Sequence, residues 1–269
     1  MSEGRGVVFA PSVFRYSTKV SNVTDAEFQN SNVRAVSLYK AFKFFGYDGV
    51  FCEINPLVSL EATGQMGETE LNADQMVDIN TIKSSIETCS KLVQMIGKGE
   101  VDLMSTIYGA TFMRKRYSLE VKNHFVLADN LANLARLYFD AGCTCLVIPE
   151  LTLNEDVLES YRSIINLAGM YSAQTVMLVE ENLSEAMISR LDEAGFSFVH
   201  PSISTTMNNT QCIVVDPKDD QSFKQGFAEA SEKGKQCPTL LLTLPEIPLD
   251  FSTMSLKQYV LEAKNLRLR

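Results

Sequence analysis

Two periodicities alternate along this chain, and the switches between them predict its strands and helices. Val7-Val8-Phe9-Ala10 is a short apolar run that reads as an edge strand, followed by a polar arm ending at Asn30-Ser31-Asn32. Between Val33 and Phe45, Val36, Tyr39, Ala41, Phe42 and Phe45 fall near helical spacing, and Gly46 supplies a stop. Val50 to Ile54 alternates as a strand does and is halted by Asn55-Pro56. Residues 59–78 are polar and acidic with no clear period, which predicts a loop or insertion. A second helix spans Ile79 to Ile96, with Ile82, Ile86, Cys89, Val93 and Ile96 on one stripe and Gly97 and Gly99 at its end.

Two short alternating runs come next, Gly99 to Met104 and Tyr117 to Asn123, and they read as neighbouring strands. A helix from Val126 to Asp140 leads to Cys143 to Ile148, a continuous apolar run of the kind buried on both faces. The rhythm is then regular. Helices at Glu155 to Tyr171, Ser184 to Ala194 and Gln221 to Lys233 alternate with strands at Thr175 to Val179, Phe196 to Val199, Cys212 to Val215 and Thr239 to Leu244, and a last amphipathic segment begins at Ser255. This pattern predicts an α/β protein with a mixed, mostly parallel sheet flanked by helices. Three segments are expected: an N-terminal arm, helix and insertion over 1–78, a core over 79–150, and a C-terminal βα extension over 151–269 on the same sheet.

Bulk composition narrows the function classes. The chain has 269 residues, 45% hydrophobic and 21% charged, and no run approaches the length of a membrane helix. Met1 to Gly6 lacks the apolar core of a signal peptide, so an intracellular, soluble protein is expected. A net charge of −9 argues against coating nucleic acid through bulk electrostatics but leaves room for a local basic patch. The six cysteines form no CxxC pair and there are only two histidines, so reduced buried thiols are expected rather than a zinc site. His124 and His200 read as loop and strand-end residues, and Asp216-Pro217 as a strand-to-helix turn at the edge where α/β proteins place ligands. Neither a GxGxxG, a GxxxxGK[ST] nor a Gly-x-Ser-x-Gly elbow occurs.

The focal chemistry lies in the two neighbouring runs. Glu120 and Lys122, two apart on a strand, project to one face, and pairing with the first run would bring Asp102 beside them. Two carboxylates and an ammonium so placed could hold a divalent metal and polarise a water. Arg114, Lys115 and Arg116 lie just before the second run, where three cations could meet phosphates; a solvated hairpin tip is the plainer reading.

The strings Gly99-Glu100-Val101-Asp102-Leu103 and Leu119-Glu120-Val121-Lys122-Asn123 resemble the catalytic strands of the PD-(D/E)XK nuclease superfamily, the restriction-endonuclease-like and archaeal Holliday-junction-resolvase-like proteins. The order helix, Asp strand, Glu-x-Lys strand, helix, apolar strand also matches over Ile79 to Ile148. That resemblance implies a restriction-endonuclease-like core with additional C-terminal βα units. It implies Asp102 and Glu120 as ligands of Mg²⁺ or Mn²⁺, Glu87 as a further acid from the preceding helix, and Lys122 positioning the attacking water. The implied partner is nucleic acid, DNA in the first instance, and a homodimer is compatible with cutting two strands. A competing register runs through Leu146 to Glu150 and puts Thr152 at the lysine position, which would leave a degenerate site. The alternatives are therefore a non-catalytic α/β binding or assembly protein, or a small-molecule α/β enzyme with its site among the loops after Val179, Val199 and Val215.

Overall fold

The computed structural model describes residues 7–64, 80–97, 99–117, 124–200, 211–217, 220–234, 239–243 and 246–267. Its strands are β1 (Val7–Ala10), β2 (Gly49–Glu53), β3 (Asp102–Thr106), β4 (Cys145–Glu150), β5 (Gln174–Val179), β6 (Phe198–His200), β7 (Gln211–Val215) and β8 (Thr239–Thr243). The helices that precede the fourth strand are α1 (Tyr16–Ser21), α2 (Asp25–Phe28), α3 (Ser31–Phe45), α4 (Pro56–Gly64), α5 (Asn80–Ile96), α6 (Ala110–Tyr117) and α7 (His124–Asp140). Those that follow it are α8 (Glu155–Ser160), α9 (Arg162–Met170), α10 (Glu185–Ala194), α11 (Asp220–Lys233) and α12 (Thr253–Arg267).

Local chemistry explains most of these boundaries. Asn30 caps α3 by accepting from the Asn32 amide at 2.9 Å, and Gly46 ends it at φ 72°, a left-handed conformation that costs glycine nothing. The single helix expected over Glu155 to Tyr171 breaks in two at Tyr161, whose buried ring is drawn inward to hydrogen-bond Glu150 and the Ala110 amide.

Among the described residues the eight strands are parallel and lie in the order β1-β8-β7-β6-β5-β4-β3-β2, so from β2 to β8 each strand neighbours its successor in the chain. The N-terminal run, β1, pairs with β8 from Val7↔Thr239 to Ala10↔Leu242. On its other side β1 meets the start of β2. The Asp48 amide donates to the Phe9 carbonyl at 2.9 Å, the Asp48 carboxylate accepts from the Phe9 amide at 2.9 Å, and the Asp48 carbonyl accepts from the Asp102 amide at 3.3 Å. Asp48 therefore stitches β1, β2 and β3 together and closes the sheet into a ring. Gly49 lies at this seam, where a Cβ would come within 2.7 Å of the Ala10 Cβ and 2.8 Å of the Met104 sulfur. Eight parallel strands in sequence order, closed on themselves and wrapped by helices, make a (β/α)8-type barrel. Most of the described strand side chains are buried, as the apolar runs required.

This arrangement corrects the nuclease resemblance. The resemblance needs the Asp102 strand to pair with the next run in the chain. Here β3 pairs with β2 and β4, both parallel, and β4 begins only at Cys145. The residues directly after β3 form α6, a helix that ends at Tyr117, where a strand was expected to begin. A restriction-endonuclease-like core is not what this chain builds. The three segments expected from sequence all contribute strands to the one sheet.

Candidate active site

In barrels of this kind the reacting groups come from the C-terminal ends of the strands and the loops beyond them. Asp102 is the first residue of β3 and so sits at the opposite mouth, where its carboxylate accepts from Thr144 Oγ1 at 3.4 Å. Glu120 and Lys122 lie outside the described residues, as do the loop after β6 and all but Tyr117 of the strand expected from Tyr117 to Asn123. Glu87 is on the flank of α5, accepting from the Ser31 hydroxyl at 2.7 Å and paired with Lys91 at 3.3 Å. Arg114, Lys115 and Arg116 are exposed in the last turn of α6, where cations favour the helix dipole, and form no hairpin tip. Among the described residues no group of three or more His, Cys, Asp or Glu side chains is arranged to hold a metal ion. The five described cysteines are buried and free. Burial pushes the thiols of Cys143, Cys145 and Cys212 upward, which makes them poor nucleophiles.

Three carboxyl groups at the other mouth have a different character, and burial pushes each of them upward. Glu150, the last residue of β4, accepts from the amides of Thr111 and Phe112 at 3.0 and 3.1 Å and from the hydroxyls of Thr111 and Tyr161. It tethers the first turn of α6, and its acceptor positions are taken. Its role is architectural.

Glu53 ends β2 just past an irregularity in the register between Phe51 and Glu53. It accepts from the amides of Ile54 and Asn55 at 3.0 and 2.7 Å and pairs with Arg34 of α3 at 3.2 Å. The two side chains are 1% and 7% exposed, so this pair is desolvated and its charges depend on each other. The Arg34 guanidinium lies over the rings of Phe14 and Phe28, with its centre 5.4 and 5.6 Å from their centroids.

Glu246, on the loop after β8, accepts from the Arg15 amide on the loop after β1. Burial lifts its carboxyl to about 7 against the pull of Arg15. It lines a cavity of ≈ 360 Å³ whose other polar side chains are Arg15, Asp25, Gln29, Arg34 and Asn55, with Phe14 and Phe28 in its apolar wall. Arg15 and Asp25 form an exposed pair at 2.7 Å, which solvent weakens and a ligand could exchange. A larger cavity of ≈ 460 Å³ lies between the outer helices α8, α9 and α10. Its charges pair with one another, Arg190 with Glu155 and Arg162 with Glu159, and no group in it is held poised. The smaller cavity is the candidate site.

The raised carboxyl has a thermodynamic signature. In the unfolded chain Glu246 ionises from about pH 4.5, while in the folded chain it stays protonated until about 7. Across that window the unfolded state binds fewer protons, so stability falls as pH rises. Relative to Glu246→Gln, the wild-type chain should lose about 3 kcal/mol between pH 4.5 and 7. Urea unfolding of both proteins across the range measures it; parallel stability profiles would place the carboxyl in an ordinary environment.

Sequence reasoning passed over Arg34, Glu53 and Glu246, and met Glu150 only in the competing nuclease register. One signal was present. Glu53 closes an apolar strand, and Pro149-Glu150 and Pro245-Glu246 put an acid behind a proline at the close of an apolar run.

No protein-family model and no curated protein sequence matches the chain. Among solved structures it is similar to N-acetylneuraminate lyase from Fusobacterium nucleatum, with TM-score 0.49 and 10% identity over 89% of this chain and 71% of that one. It is similar to dihydrodipicolinate synthase from Agrobacterium tumefaciens, with TM-score 0.45 and 12% identity over 98% and 80%. For dihydrodipicolinate synthase from Oceanobacillus iheyensis the values are 0.38 and 15% over 78% and 67%. The sequence resemblance pointed to a DNA-binding, metal-dependent nuclease. With the Asp102 strand at the wrong mouth and unpaired to a Glu-x-Lys strand, that function is set aside.

Proposed function

We propose that the chain is a small-molecule enzyme whose site is the cavity beside β1, β2 and β8, with Glu246 as its proton-transfer group. The observation that carries this reading is a half-buried carboxyl near neutrality, facing a cavity at the mouth where barrels of this class do chemistry. A carboxyl with that value is divided between acid and base at neutral pH, which suits abstraction of a proton next to a carbonyl and its return. Position separates this reading from the sequence expectation, which sought such a site after Val179, Val199 and Val215. The cavity instead joins the loops of the first, second and last strands.

The test is hydrogen–deuterium exchange into a panel of small carbonyl and carboxylate compounds in D₂O, followed by proton NMR. Exchange by the wild-type chain that falls by at least about 100-fold in Glu246→Gln supports the assignment. The rate should rise with pH through about 7 as the carboxylate forms. Exchange that survives the substitution, or none with any compound, would refute it.

A further inference from the structure

The guanidinium of Arg34 is nine-tenths buried, yet its hydrogen bonds within the described protein do not use it up. Nε donates to the Phe28 carbonyl at 3.2 Å and Nη1 to Glu53 at 3.2 Å. Nη2 has no partner among the described residues, and it is not among the buried polar atoms sealed off without one. Arg34 lines the candidate cavity, so this remaining edge opens there. Its plane is fixed by the contact with Phe14 and Phe28 and by the two hydrogen bonds on its inner side. Arginine presents paired N–H groups in a rigid fork that matches a planar carboxylate or a phosphate. A second cation, Arg15, lines the same cavity. Asp25 is its exposed partner, and a ligand oxyanion can replace Asp25 at little cost.

We propose that this cavity takes a small ligand through an oxyanion, carboxylate or phosphate, seated on the outer edge of Arg34 and completed by Arg15. The inference rests on the cavity being the active site and adds the class of substrate. The apolar wall of Phe14 and Phe28 leaves room beside the anion for a short carbon skeleton, and Glu246 lines the same cavity as the group that would move a proton. Arg34 then has two tasks. Its inner side balances Glu53, and its outer side receives the ligand, so the buried pair with Glu53 serves to aim the guanidinium.

The experiment is calorimetric titration of the full chain with inorganic phosphate and, separately, with malonate, joined to amide NMR shifts at Asn55 and Phe28. The wild-type chain should bind at least one of them with millimolar affinity and shift both amides. Tighter phosphate binding would point to a phosphorylated ligand and tighter malonate binding to a carboxylate. Arg34→Lys should weaken binding by about tenfold or more, because it keeps the charge and loses the fork. Should that variant fail to fold, Arg15→Ala decides the matter: its side chain is exposed, and it should weaken the same anion several-fold with an unchanged melting curve. Binding of neither anion up to about 50 mM, which is how water-filled donors would behave, overturns the proposal. So does affinity untouched by the arginine substitutions. Glu246→Gln should keep its anion affinity: exchange that survives this substitution while the anion still binds counts against the catalytic reading, and exchange that depends on Glu246 in a wild-type chain that binds neither anion counts against this one.

Discussion

Glu53→Ala should lower the stability of the chain by about 3–5 kcal/mol, the cost of leaving a buried arginine without its counter-ion. Arg34 and Glu53 are 7% and 1% exposed and meet at 3.2 Å, so water cannot take over for the missing carboxylate. The substitution also removes the acceptor of the Ile54 and Asn55 amides, which shape the loop after β2. Urea unfolding followed by circular dichroism measures the loss. A control distinguishes charge burial from poor packing. Replacing both partners by apolar residues, Glu53→Leu with Arg34→Met, should recover much of the stability. A loss below about 1 kcal/mol in the single variant would mean that the pair is hydrated, as surface pairs are.

Gly109→Ala should cost about 3 kcal/mol by overpacking. Gly109 closes the turn between β3 and α6, and a Cβ there would overlap the Glu150 carboxyl carbon, its Oε1 and the Tyr161 hydroxyl. None of these can retreat easily. Glu150 is held by two amides and two hydroxyls, and Tyr161 is fully buried and donates to it. Because the clash and the hydrogen bonds involve the same carboxyl, the two substitutions should not add. In a Glu150→Ala background the same Gly109→Ala change should be mild, giving a coupling of about 1–3 kcal/mol in a double-mutant cycle. Additive losses would show that Gly109 and Glu150 do not touch.

Much of the barrel could be read from the chain. The strands of the second half follow apolar runs bounded by glycine or capping residues, and Ser184 and Gly195 bracket α10 as their chemistry requires. Ring closure could not be read. It depends on Asp48 reaching three strands at once, and nothing local marks a polar residue before a glycine as a seam. The segment after β3 misled for a similar reason. Met113 to Tyr117 is short and rich in cations, so periodicity gave no helix, whereas in the structure Glu150 supplies the N-terminal acceptor from 39 residues downstream at Thr111.

The candidate site was legible only in part. Glu-x-Lys spacing is a local signal and drew attention to 102–122, where the only described member, Asp102, lies at the mouth opposite the cavity. Glu246 became a candidate through burial and through Arg15, which is 231 residues away in sequence. Arg34 reads in the sequence as one more polar residue on a helix, and only the fold shows it buried against two phenylalanine rings.

A single carboxyl carries the account, and its titration tests it most directly. In ¹³C NMR of the chain labelled at glutamate side-chain carboxyl groups, one resonance, absent from Glu246→Gln, should titrate near pH 7. If the resonance lost in that variant instead titrates near 4.5, Glu246 is an ordinary surface acid, and the cavity beside β1, β2 and β8 loses its claim to be the active site.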